Sequence, residues 1–172
     1  MKWRRSAVPP EVAAQVPGRA LAATRAVDGT WIVGTRAELV LLAPPGGPGP
    51  VETRVPWERV EGADWHREDS RLRVTEVGQY GEQRPSYTFT LPDAEPATLL
   101  QLIRERVTAS VVLQRGQVVA GKRGLKVIGR RPPAGGPITW MHEYDAGVDP
   151  DDPEVAAAAE ALLRQARADV GE

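Results

Sequence analysis

Two histidines, one acidic cluster and one run of cations are the side chains in this sequence with the means to do chemistry. His66 follows Trp65, and His142 precedes Glu143. A zinc-hydrolase helix needs His-Glu-x-x-His so that two imidazoles face one ion. Neither histidine has such a partner. His142 and Glu143 are adjacent in an expected strand and so point to opposite faces. Both histidines read as surface or rim residues. Asp149, Asp151, Asp152 and Glu154 supply oxygen ligands. A calcium loop, however, spreads its ligands over about 12 residues around a turn glycine. Pro150 and Pro153 interrupt that geometry, so the cluster reads as a helix N-cap with favourable negative charge in the first turn.

The remaining catalytic patterns fail for similar reasons. Gly116, Gly121 and Gly124 lack the Lys-Ser/Thr ending of a phosphate-binding loop, and Gly135-Gly136 sits between prolines. Ser86 and Ser110 have no G-x-S-x-G elbow, and Thr108 and Ser110 near a helix end are expected to bond the backbone. The chain has no cysteine, which excludes thiolate catalysis and Cys-based zinc sites and fits a reducing compartment. No residue is assigned a catalytic, metal-binding or cofactor-binding role, and the chain is expected not to be an enzyme. The best case for one would place a carboxylate such as Glu143 or Glu76 in a barrel mouth.

Charge segregation is the strongest functional signal. Between Leu113 and Arg131 stand Arg115, Lys122, Arg123, Lys126, Arg130 and Arg131, with no acidic residue among them, and after Glu143 the chain is strongly acidic. One reading is a basic hairpin that contacts nucleic-acid phosphates. The other is a basic hairpin that packs beside the acidic C-terminal segment and is neutralised within the fold. Glycine interleaves the stretch and aromatics do not, so base stacking is not expected. Five tryptophans accompany a single Phe. Trp31, Trp57 and Trp65 fall in strands or beside them and read as core. Trp3 and Trp140 are the candidates for an exposed protein interface.

The elements that must position these residues follow from periodicity. Glu11 to Val16 forms a helical turn before Pro17-Gly18. Strands are expected over Arg19–Val27 and Thr30–Thr35, joined at Asp28-Gly29, a signal for a type I′ turn. Glu38–Ala43 is nearly all apolar, so it should be buried on both faces. Pro44–Pro50 is a loop. Val51–Val55, Val60–Arg67 and Arg71–Val77 read as strands, and Tyr87, Phe89 and Leu91 line one more. Asp93 caps a helix whose Leu99, Leu100, Leu102, Ile103 and Val107 recur at helical spacing. Strands follow over Leu113–Ala120, Leu125–Arg131 and Ile138–Tyr144. Asp152-Pro153-Glu154 then opens a C-terminal helix with the stripe Val155, Ala159, Leu162, Leu163 and Ala166.

This order is α+β with antiparallel pairing. The 172 residues carry a formal net charge of −1, which selects neither nucleic acid nor membrane, and no apolar run nears the roughly 18–20 residues of a membrane span. The positive N-terminus is followed by Pro9, Pro10 and Glu11 rather than an apolar core, so it does not read as a signal peptide, and a cytoplasmic location is expected. Asn is absent and Arg far outnumbers Lys. That bias fits GC-rich coding, so an individual Arg carries no inference about bidentate recognition.

Four stretches resemble the bacterial PH-like domains. They are Pro17-Gly18-Arg19-Ala20-Leu21, the run Trp31 to Leu39, Val55-Pro56-Trp57-Glu58-Arg59-Val60, and the helix after Asp93. The resemblance spans roughly residues 17–112. It implies a strongly bent antiparallel sheet or partial barrel, formed from Arg19 to Leu91 and closed by the amphipathic helix. Residues 113–172 would add a β-hairpin and a C-terminal helix, the whole forming one domain over 1–172. PH-like domains host lipid binding, peptide binding and scaffolding, so the fold implies no single function. The lipid-binding versions carry a basic cluster in the first loops. Here Arg25 alone flanks Asp28-Gly29, which argues against lipid binding. The expected role is a non-catalytic protein-interaction or scaffold module with a protein partner or a homo-oligomer. The alternative is a nucleic-acid- or ribosome-associated factor using residues 113–131.

Overall fold

Pro10 opens a helical turn, because proline's fixed φ suits the first helical position. In the computed structural model, which describes residues 8–47, 49–78, 83–92 and 95–172, that turn is α1 (Pro10–Ala13). The expected cap Asp93 and the candidate interface residue Trp3 lie outside the described residues. The contacts divide the chain into two compact units. The first holds the described residues up to Val77 and those of Pro85–Thr108. The second holds Ala109–Glu172 with the described residues of 78–84. Where one domain was expected, each unit holds a core of its own.

In the first unit, β1 (Ala22–Arg25), β2 (Trp31–Gly34), β3 (Glu38–Leu42) and β4 (Glu52–Pro56) form an antiparallel sheet in chain order. A 3-10 turn, Trp57–Arg59, leads into β5 (Val60–His66), β6 (Arg71–Glu76) and β7 (Ser86–Thr90), a second antiparallel sheet. The Val27 N–H donates to the Thr90 carbonyl at 2.8 Å, tying the end of β1 to β7. The expected single bent layer is thus two sheets, and the described residues form no closed barrel. The Pro56-Trp57 step breaks the ladder, since proline donates no hydrogen bond.

The two sheets and α2 (Ala97–Ser110) share one core: Ile32, Leu39, Leu41, Val55, Trp57, Val60, Leu72, Val74 and Leu91 meet Leu99, Leu100, Leu102 and Ile103. Each such Leu or Ile contributes about 1.5–3 kcal/mol on burial. Helix and strand approach so closely that a Cβ on Gly34 would lie 2.5 Å from Leu102 Cδ2. The Trp57 indole Nε1 donates to the Thr35 carbonyl at 3.1 Å. The Thr35 hydroxyl in turn bonds the backbone of Ala37 and Glu38, fixing the β2–β3 turn.

The continuous apolar run in β3 has its expected cause. Leu39 and Leu41 face this core, while Val40 and Leu42 face Val12, Val16 and Val33 beneath α1. The alternation in β4 starts later than its pattern suggests, since Val51 stays 63% exposed. The Asp28-Gly29 connection is a hairpin but not type I′: Gly29 alone has positive φ, +91°. Ala26 pairs Thr30 by backbone, and the Thr30 N–H donates to Asp28 Oδ1 at 2.9 Å. Three residues in the loop call for a type I turn followed by a left-handed residue, which glycine supplies.

The second unit contains β8 (Val111–Ala120), β9 (Arg123–Arg130) and β10 (Thr139–Tyr144), an antiparallel sheet of order β10-β9-β8. The expected added hairpin is therefore a three-stranded sheet, because the segment after the Pro132–Pro137 loop pairs in full register with β9. Helix α3 (Pro153–Asp169) covers one face, with Val155, Ala159, Leu162 and Ala166 against Leu125, Val127 and Val148. Asp152 caps it as expected, accepting from Glu154 N at 2.8 Å and Val155 N at 3.4 Å.

Candidate functional site

The six expected cations do not share a face. Arg115 is on β8 and turns toward α3, where its Nε pairs with Asp169. That contact is the neutralisation within the fold that charge segregation suggested, for this one residue. Arg130 is buried and its Nη1 donates to Ser110 Oγ at 3.2 Å. Lys126 is exposed and stands opposite Glu143 in the β9–β10 register. Arg123 lies against Gly147, so closely that a Cβ there would collide with its guanidinium. Lys122 and Arg123 meet at the β8–β9 turn, and Arg131 follows the far end of β9. At ~3.3 Å per residue, the ends of an eight-residue strand are about 23 Å apart.

The tryptophans and carboxylates separate in the same way. Trp57 is fully buried, and Trp31 and Trp65 are partly buried against core clusters. Trp140, the candidate interface residue within the described region, is half-buried against the α3 core. Its Nε1 donates to Glu172 Oε2 at 2.9 Å. Glu76 is 6% exposed. The Tyr87 hydroxyl donates to its Oε1 at 2.7 Å, and Arg59 Nη2 meets its Oε2 at 3.1 Å. Burial first, and then the bond to this carboxylate, push the Tyr87 hydroxyl up to about 12. Both oxygens of Glu76 are thus engaged in holding a tyrosine and an arginine. Asp149 closes a turn by accepting from Asp151 N at 3.0 Å. No group of three or more His, Asp or Glu among the described residues is placed to hold a metal ion. No helix of the described chain is long and apolar enough to cross a membrane.

A different feature emerges where β5 runs beside α2. A groove of about 220 Å³ is lined by Glu61, Gly62, Ala63 and Asp64 on the strand and by Leu100, Ile103, Arg104, Val107 and Thr108 on the helix. β5 is the edge strand of its sheet. A register shift between Val60 and Gly62 marks a bulge there, a device that bends an edge and re-aims its side chains. A Cβ on Gly62 would meet nothing within 4 Å. The floor is apolar, from Ile103 and Leu100, and the rim carries Glu61 and Asp64 opposite Arg104. Sequence reasoning did not single out this place. Its one local signal was a glycine inside a strand pattern, which marks a bulge or a close approach. That the strand borders α2 is a non-local fact.

Comparison with protein-family models, with curated proteins and with solved structures finds no match for this chain.

Proposed function

We propose that this chain is a PH-like, non-catalytic interaction module that takes an extended segment of a partner protein into the groove between β5 and α2. The observation that carries the reading is the groove itself: an edge strand beside a helix, with open space over Gly62 and an apolar floor. An edge strand offers backbone groups for strand addition, and a pocket beside it reads alternate side chains of the incoming segment. Asp64, exposed on the strand side, favours a segment with a cation facing the strand. The PH-like part of the reading is supported by the element order of the first unit: four strands, then three, then a helix sealing their common core. The non-catalytic part is supported by Glu76, whose two oxygens serve Tyr87 and Arg59.

The nucleic-acid alternative takes less support. Of its six cations only Lys122 and Arg123 lie together at one turn, while Arg115 and Arg130 are bound within the fold.

Peptide display against the full chain tests the proposal, with selected peptides remeasured on Gly62→Trp. Gly62 does not have a positive φ, and a Cβ there would meet nothing within 4 Å, so an indole at this position has room in the groove. Binding should weaken at least about tenfold, or ~1.4 kcal/mol, with the circular dichroism spectrum unchanged. Peptides that bind Gly62→Trp as well as they bind the parent chain would refute this use of the groove.

A further inference from the structure

We infer that β8 is a dimerisation edge: two copies of this chain pair their β8 strands antiparallel about a twofold axis, joining two three-stranded sheets into one of six. This does not rest on the β5–α2 groove, and either can fail without the other.

β8 has ten residues and stands at the edge of the order β10-β9-β8. Its pairing to β9 is in unbroken register from Leu113 to Val118, and the shifts fall outside that stretch, at Val111/Leu113 and Val118/Ala120. The middle of the edge therefore carries no bulge. Leu113 packs toward the α3 core and Arg115 pairs with Asp169 of α3, so Gln114, Gly116 and Val118 occupy the opposite face. All three are exposed, Val118 by 62%.

Long flat edges are templates for further pairing, and proteins guard them with Lys, Pro, central bulges or inward charges. Val111–Ala120 contains no Lys and no Pro. Its single charge pairs with Asp169, and its bulges lie outside the centre. An edge with none of these guards calls for a strand to cover it. The second copy fits that role on three grounds. An antiparallel pair about a twofold is self-complementary, it closes after two copies, and the uncharged face Gln114, Gly116, Val118 meets itself without repulsion.

The charges also select the register. A twofold through Arg115 would set two guanidinium groups opposite each other. A twofold through Gly116 sets Arg115 against the partner's Gln117 and Gln114 against the partner's Val118.

The chain has no cysteine, so one introduced thiol reports alone. Residues directly opposite in an antiparallel pair have Cα atoms about 4.5–5.5 Å apart, within disulfide reach of about 4.4–6.8 Å. Mild oxidation of Gly116→Cys should give a covalent dimer, whereas Ala161→Cys, on the exposed side of α3, should not cross-link. In sedimentation the native chain should show twice its 18.6 kDa mass. Gln114→Lys combined with Val118→Lys should return it to a single chain with an unchanged circular dichroism spectrum. A native chain that remains monomeric through the dilution series overturns the inference. So does a dimer that survives the double lysine variant.

Discussion

The meander β5–β7 and the meander β8–β10 are each closed by a helix, yet the two helices do it with different side chains. Helix α2 buries Leu99, Leu100, Leu102 and Ile103 in a core that also receives the β1–β4 sheet. Helix α3 buries Val155, Ala159, Leu162 and Ala166 on one face of one sheet. Alanine lets a helix lie close to a sheet but removes little apolar surface from water, and burial free energy follows that area. The second unit adds polar ties at its rim: Arg115 to Asp169, Trp140 to Glu172, and Asp145, whose Oδ2 accepts from Gly124 N at 2.7 Å. One unit rests on large side chains inside. The other rests on a thinner apolar layer with polar fastenings.

Truncating one large buried side chain in each unit is the sharpest way to break that contrast. Trp57→Ala should destabilise the first unit by about 3–5 kcal/mol in urea unfolding, since it also abolishes the indole bond to Thr35. Leu162→Ala should cost the second unit about 2 kcal/mol, the low end for such a change, because small neighbours close around the space. Equal costs would mean that the two cores are equivalent.

Polar contacts give a smaller and more specific effect. Removing the hydroxyl with Tyr87→Phe leaves one Glu76 oxygen short of a donor inside the fold and should cost about 1–2 kcal/mol. Folding raises the Tyr87 hydroxyl from the ordinary tyrosine value near 10 to about 12, so the fold favours the neutral phenol. Its contribution is complete below pH 10 and is lost as pH rises toward about 12. Stability measured across that window should fall more steeply in the parent than in Tyr87→Phe. Parallel profiles would show that the phenol is not coupled to folding.

The smallest effect belongs to the α3 cap. Asp152→Ala should cost about 1 kcal/mol and should lower the helical signal of the second unit while leaving the Trp57 environment unchanged. Asp152→Asn keeps an acceptor oxygen and should recover most of the loss.

How much of this was legible beforehand varies with the range of the interaction. The apolar run Glu38–Ala43, the α3 stripe, the Asp152 cap and the Pro44–Pro50 loop were readable because each is set by neighbours within a few positions. The hairpin at Asp28-Gly29 was readable as a turn. Its type was not, because that depends on which residues across the loop pair, and Ala26 pairs Thr30. The placement of the basic run was not readable for the same reason. Six cations close in sequence look like one patch, but a pleated hairpin sends alternate side chains to opposite faces, and Asp169, far along the chain, claims Arg115.

Periodicity, proline and glycine placement, and side-chain capping determined where the strands and helices of this chain lie, because backbone dihedrals and local burial act over a few residues. The tertiary structure alone decided that the strands sort into three sheets and that Val12 and Val16 cover the outer face of β3. It also decided that Glu76 receives Tyr87 and Arg59, and that β5 borders a groove while β8 stands as an unguarded edge. Those outcomes depend on side chains distant in sequence competing for the same space and the same hydrogen bonds, and only the folded chain brings the competitors together.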